Sequence, residues 1–166
     1  MRYYLRLRGF LLVLFFIVGF RLFGQVANEQ LPTLSSIHHW TDKAKSLEDA
    51  LPKSGRILFV FYDPGCGSCQ ELGAGIAKSD SKIKNTQIFF ISMHDNDLVD
   101  GYINMHAKNL KNMKNVSFWK DPGTEFIEKM KPTNYPATYL FDARTKKLIK
   151  SFQGESKIEK MTPILN

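Results

Sequence analysis

The sequence predicts an α/β domain, a central β-sheet of mixed strand direction flanked by helices. Three observations carry this. Two short runs, "RILFVFY" (Arg56 to Tyr62) and "TQIFFIS" (Thr86 to Ser92), are β-branched, aromatic and apolar at consecutive positions, the mark of strands covered on both faces. Between them the stretch from Cys66 to Lys78 is long enough for the helix of a βαβ crossover, which makes the two strands parallel and central. Further on, "ATYLFDARTKKLIKSFQG" reads as two strands around a polar turn near Ala143 to Lys146, closed by Gly154. With 166 residues, 43% of them apolar and thirteen of them phenylalanine, the chain can build one domain with a proper core.

The first segment is set apart from that domain. "MRYYLRLRGF" carries Arg2, Arg6 and Arg8 ahead of the apolar run Phe10 to Phe20, the charge-then-apolar order of a secretory signal peptide. As a helix this run reaches about 16 Å, short of the roughly 30 Å hydrocarbon core of a bilayer. A signal peptide over residues 1–24, cleaved between Gly24 and Gln25, is therefore expected, followed by a short linker over 25–32 and the domain over 33–166. The alternative is an uncleaved anchor facing the periplasm, with Leu5, Leu7, Leu22 and Phe23 joining the apolar span and Arg8 and Arg21 snorkelling to its ends. Export changes the meaning of the charge. Four of the 23 basic residues (Arg2, Arg6, Arg8, Arg21) and none of the 16 acidic ones precede Gln25, so the remainder carries 19 against 16, a surplus of three. That surplus is scattered, which excludes a nucleic-acid footprint, and a membrane is a partner only if the N-terminal segment stays attached.

Along the remaining chain, Ile37, Trp40, Ala44, Leu47 and Leu51 recur at spacings of three and four and predict a helix over 33–51, ended by Pro52 and Gly55. The two central strands and their crossover follow. Leu98, Tyr102 and Met105 predict the buried face of another helix. "DPGTEFIEKM" starts a shorter one with Asp121 as N-cap and Pro122 in first position. After the hairpin, "SKIEKMTPIL" predicts a last helix, interrupted by Pro163.

The chemistry lies in "VFYDPGCGSCQE", where the only two cysteines, Cys66 and Cys69, stand where a strand ends and a helix begins. A redox-active dithiol, half of a metal site and a structural staple are the readings to weigh. At a helix start, unpaired N–H groups and the positive end of the helix dipole face the Cys66 sulfur and stabilise a thiolate, making Cys66 the nucleophile. Cys69, one turn on and more buried, is placed to attack the resulting mixed disulfide. Two intervening residues bring the sulfurs within bonding reach while leaving a short ring that opens readily in exchange. A zinc site needs four ligands, and His38, His39, His94 and His106 show no spacing with the cysteines that supplies them. The pair His38-His39 reads as part of a helix face. "HDNDLVD" lacks the glycine and the closing glutamate of a calcium loop, so Asp95 or Asp97 is expected to cap a helix.

"FYDPGCGSC" after an apolar strand and "NYPATYLFD" before a hairpin resemble the two defining segments of the thioredoxin-like superfamily, and the resemblance covers nearly all of the chain beyond the leader. It implies a three-layer sandwich with a central mixed sheet flanked by helices. It also implies a thiol-disulfide oxidoreductase without a bound cofactor or metal, acting on protein thiols or disulfides together with a redox partner protein. Cys66 would be the attacking thiol, Cys69 the resolving one, and Tyr135 with Pro136, joined by a cis peptide bond, the substrate platform. The exported setting is similar to the periplasmic or membrane-associated branch related to thiol-disulfide interchange proteins of cytochrome maturation. The chain departs from thioredoxins at Gly65, where they usually have Trp, at Gly67-Ser68 in place of Gly-Pro, and at Val60, where they commonly have a buried acid. Proton transfer from Cys69 then needs another base, with Asp63, Glu71 and water as candidates. Ala137-Thr138-Tyr139 after Pro136 departs from a glutaredoxin's glutathione-clasping segment, and Asp63 stands where a peroxiredoxin-like site needs Thr or Ser. The alternative within the same fold is a non-catalytic binding module in which a Cys66-Cys69 disulfide only braces the helix start.

Overall fold

The computed structural model describes residues 29–79 and 83–165. The predicted leader, residues 1–24, and the first part of the predicted linker, 25–28, lie outside them. The strands are β1 (His38–His39), β2 (Asp42–Ser46), β3 (Arg56–Phe61), β4 (Thr86–Ser92), β5 (Val116–Lys120), β6 (Ala137–Asp142) and β7 (Leu148–Gln153). The α-helices among the described residues are α1 (Leu47–Ala50), α2 (Gly67–Lys78), α3 (Asn96–His106) and α4 (Glu125–Met130), with 3-10 turns after α3 (Lys108–Asn112) and after β7. These seven strands form one mixed sheet in the order β2-β1-β5-β4-β3-β6-β7.

Both predicted central strands are present and parallel, with Arg56 opposite Thr86 and Phe61 opposite Ile91. The crossover between them is α2, on the predicted segment. The predicted hairpin is β6 and β7, and β6 lies antiparallel along the other side of β3, Phe61 opposite Ala137. Strand geometry sends successive side chains of β3 to opposite faces, and both faces are covered. Leu58, Val60 and Tyr62 join Cys69, Leu72 and Ile76 of α2 and Tyr102 and Ile103 of α3 in one core. Ile57, Phe59 and Phe61 join Leu47 of α1 and Phe126 and Met130 of α4 in the other. Burying one such phenylalanine stabilises the domain by about 1.5–3 kcal/mol, so a strand apolar on both sides belongs in the middle of the three layers.

The segment 33–51 departs from the predicted single helix. The chain turns back at Trp40 and Thr41, and only Leu47–Ala50 is helical. Ile37 and Leu47 do reach one core, but through a fold-back in which Leu47 N donates to Ile37 O at 2.9 Å. His38 and His39 lie on a strand rather than a helix face, paired with Lys120 and Trp119 of β5. Pairing with a sheet edge satisfies backbone groups that a solitary helix would satisfy internally. The carboxylate of Glu125 on α4 fastens the start of this segment, accepting from Ser35 N at 3.2 Å and Ser36 N at 2.8 Å.

Three further expectations are corrected in detail. On α3 the buried residues are Val99, Tyr102 and Ile103, while Leu98 and Met105 are exposed, so the predicted helix exists with its inward face rotated by about one residue, close to 100°. Helix α4 starts at Glu125 with Thr124 as its N-cap residue. Asp121 is fully buried, tied to the sheet by its N–H to Ser92 O, and its carboxylate receives Gly123 N and Phe126 N from outside the helix. The last helix is instead a pair of 3-10 turns, Ile158–Lys160 and Thr162–Ile164. Pro163 removes a donor that a continuous α-helix needs, while Ile158, Met161 and Leu165 keep their helical spacing and stay buried.

Candidate active site

The site is built where β3 runs out. Tyr62 still pairs with β4 through its N–H to Ile91 O, and then Asp63, Pro64 and Gly65 turn the chain, with Cys66 N donating to Asp63 O at 3.1 Å. The Asp63 carboxylate receives Gly65 N at 2.7 Å, and Gln70 Nε2 reaches back to Pro64 O at 3.1 Å. Cys66 is the N-cap residue of α2, with extended backbone angles and no side-chain capping bond, so its sulfur is not committed to the helix it starts. Its carbonyl accepts from the N–H groups of both Cys69 and Gln70 at 3.0 Å.

The two cysteines differ in surroundings. Cys66 is half-buried, while Cys69 is 1% exposed and packs with Leu72 and Ile76. Burial pushes the Cys69 thiol well above its ordinary range, and a hydrogen bond with the Cys66 sulfur pushes it the same way. Behind them the buried rings of Tyr62 and Tyr102 lie 4.8 Å apart, and the Tyr102 hydroxyl donates to Cys69 O at 3.2 Å.

The second sequence segment comes to the same end of the sheet. The Tyr135–Pro136 peptide bond is cis, and the next residue, Ala137, stands opposite Phe61, the last residue of β3. The Tyr135 ring lies 5.3 Å from that of Phe61 and is 38% exposed. Burial raises its hydroxyl above the ordinary range, with further contributions from Asp63 and Cys69, which places it in the same electrostatic neighbourhood as the dithiol. An open groove of about 210 Å³ runs beside it, lined by Ile127, Pro132, Thr133, Asn134 and Tyr135. Gly154 N donates to Pro136 O at 2.8 Å and fixes the loop to the end of β7.

Of the candidate bases named from sequence, Asp63 belongs to the dithiol turn, whereas Glu71 is turned away to the surface and held there by Lys157 and Ser156. Val60 is buried and apolar. A residue that sequence reasoning passed over, His94, enters the site from the loop after β4, its Nε2 3.3 Å from Asp63 Oδ2. The signal was available in the two parallel strands: with Phe61 opposite Ile91, two or three further residues on each bring Asp63 level with His94. Of the two residues expected to cap α3, Asp95 occupies the N-cap position but its side chain makes no capping bond, and Asp97 lies in the first turn. His38 and His39 lie on β1, separated from β3 by β5 and β4. Among the described residues no group of three His, Cys, Asp or Glu side chains is arranged to hold a metal ion.

No protein-family model and no curated protein matches the chain by sequence. Solved structures match its fold over most of its length. The thioredoxin domain of a Bacteroides vulgatus thiol-disulfide oxidoreductase is 16% identical, with a TM-score of 0.59, covering 86% of this chain and 100% of that one. A secreted Mycobacterium tuberculosis disulfide oxidoreductase homologous to E. coli DsbE is 12% identical, with a TM-score of 0.57 and coverages of 82% and 96%. StoA from Bacillus subtilis is 11% identical, with a TM-score of 0.57 and coverages of 80% and 98%. The fold is thioredoxin-like, as the resemblance implied, and it carries Cys66 and Cys69 close together at a helix start.

Proposed function

We propose that this chain is an exported thiol-disulfide oxidoreductase that acts on protein thiols by two-step exchange through Cys66 and Cys69. The observation that carries the reading is the asymmetry of the pair: a half-buried cysteine at the start of α2, its side chain uncommitted to capping, backed by a second cysteine that is buried one helical turn on. In the reducing direction the Cys66 thiolate attacks a client disulfide, forming a mixed disulfide and releasing one client thiolate. Cys69, once deprotonated, attacks the Cys66 sulfur, closing the intramolecular disulfide and releasing the second thiolate. Two electrons pass to the client, and a redox partner protein returns them. The oxidising direction is the same path reversed. Tyr135 and Pro136 serve as the platform along which an extended client lies, supported by their place at the end of β3 beside the turn.

Equilibration of the protein with glutathione redox buffers tests this reading. A catalytic pair gives a potential between about −270 and −120 mV, whereas one below about −300 mV resists the glutathione pool and favours the brace in a binding module. Export rests on the charge-then-apolar order of residues 1–24 and is supported by the secreted character of the Mycobacterium tuberculosis protein. The mature chain is expected to begin at Gln25 in a soluble, periplasm-type fraction. Mass spectrometry that finds Met1 to Gly24 intact in membranes establishes the anchor instead.

A further inference from the structure

Resolution of a mixed disulfide needs the proton of Cys69 removed, and nothing in the sheet beneath that residue does it. Cys69 belongs to a buried core cluster that holds Leu58, Val60, Leu72 and Ile76 with Tyr62 and Tyr102 and, among the described residues, contains no carboxylate or histidine, and burial holds both tyrosines protonated far above neutral pH. The acid that lies on the dithiol turn is Asp63. Its carbonyl receives Cys66 N, so the residue is tied directly to the start of the dithiol helix, and its carboxylate is fixed by two contacts, Gly65 N on Oδ1 and His94 Nε2 on Oδ2. Each carboxylate oxygen has more than one acceptor site, so both contacts leave capacity for a further proton. The pair is partly open to solvent, 39% for Asp63 and 41% for His94, as a group that exchanges protons with water must be.

Resting on the exchange reading above, we propose that Asp63 is the base that deprotonates Cys69 in the resolving step and that His94 is a positioning residue that orients the Asp63 carboxylate. The proton leaves the Cys69 sulfur for a carboxylate oxygen, directly or through one water. The Cys69 thiolate forms the bond to the Cys66 sulfur, the bond from Cys66 to the client breaks, and its electron pair departs on the client sulfur. The proton then passes from Asp63 to the departing thiolate or to solvent, restoring the carboxylate. In the reverse direction Asp63 returns the proton to Cys69. The polar and charged groups around the pair are Cys66 and Cys69 from α2, Tyr135 from the loop before β6, and Lys120 of β5, whose ammonium binds the carbonyls of Met93 and His94 and the Asp95 carboxylate.

The experiment starts from a mixed disulfide between Cys66 and glutathione, prepared in acid and released by a pH jump, with free glutathione followed as it is released. Asp63→Asn keeps an oxygen for Gly65 N and removes the base. It is expected to slow release at least about tenfold, towards the lower end of what a general base contributes. Alkylation of Cys66 in the reduced variant should stay within about twofold of the parent, because that step uses a different sulfur. His94→Gln, which keeps a donor for the Asp63 carboxylate, is expected to slow release less than His94→Ala while Cys66 alkylation stays unchanged in both, a rescue by the conservative variant that loss of packing does not produce. Glu71→Gln should match the parent. Release from Asp63→Asn at the parent rate, or equal slowing of release and alkylation, overturns the assignment of the base. A parent protein that forms the adduct and never releases glutathione overturns the exchange reading itself, and with it this one.

Discussion

A Cys69→Ser variant is expected to accumulate covalent adducts with client proteins through Cys66, whereas Cys66→Ser accumulates far fewer. Cys66 is the sulfur that reaches the surface at the start of α2, and Cys69 is 1% exposed behind it. With Cys69 gone the first attack still proceeds, but nothing within the protein opens the mixed disulfide. With Cys66 gone a client would have to reach a thiol enclosed by Leu72, Ile76 and two tyrosine rings. Either change removes a bond-forming group, so turnover should fall by at least about a thousandfold, the scale on which loss of a covalent nucleophile is felt. Non-reducing electrophoresis followed by mass spectrometry of the adducts reads both variants. Adducts on Cys69 in the Cys66→Ser protein, at the level expected for the other variant, would mean that the two roles are exchanged.

The second large effect lies beneath the site. A Cβ atom on Gly73 would sit 2.0 Å from the Tyr102 hydroxyl oxygen and 3.0 Å from its ring carbon Cζ. Tyr102 is 1% exposed, packed on Tyr62 and bonded to Cys69 O, so it has no free direction in which to retreat. In an exposed helix Gly→Ala gains about 1 kcal/mol. Here overpacking costs about 1–3 kcal/mol, and displacement of the tyrosine adds about 1 kcal/mol for the hydrogen bond. Gly73→Ala is therefore expected to destabilise the domain by about 1–3 kcal/mol, measured by denaturant titration. Tyr102→Phe removes the oxygen that clashes, so the double variant should be more stable than the sum of the single changes by at least about 0.5 kcal/mol. Additive effects would show that the close approach of Gly73 and Tyr102 is not what makes the glycine necessary.

Much of this arrangement was legible from residue order, for identifiable reasons. β3 and β4 were readable because their burial is two-sided, which leaves an uninterrupted apolar run that no solvent-facing helix shows. The dithiol turn was readable because its two cysteines are separated by two residues just after the apolar strand, whereas the loop before β6 was readable only through the resemblance of "NYPATYLFD" to the thioredoxin-like superfamily. The segment around His38 was misread because Ile37 and Leu47, ten residues apart, fit a helical period and also fit a fold-back that brings both under the sheet. Periodicity alone does not separate those cases. β5 went unread because it is a short run of five residues directly after the lysine-rich stretch 108–114, and its identity is fixed by parallel pairing with β4 rather than by its own pattern. The face of α3 was misjudged for a related reason: the closest approach of α2 is set by Gly73 meeting Tyr102, and that contact selects Val99 and Ile103 over Leu98 and Met105. His94 was passed over because its partner belongs to a different strand end, thirty-one positions earlier in the chain.

The place of β3 in the sheet has a further consequence. It is bonded to β4 on one side and β6 on the other, and each of those is bonded outward again, to β5 and β7. Its amide hydrogens therefore meet solvent only when the domain opens as a whole, whereas β2 at one margin and β7 at the other can fray without disturbing it. The turn that carries Cys66 hangs from the central element of the sheet, so under the proposed exchange reaction a client bound at Cys66 would pull against the most deeply supported strand. The residues around Tyr135 and the loop that bears His94 lie outside the strands at that end of the sheet, so under the same proposal any accommodation of a client would fall on them rather than on β3.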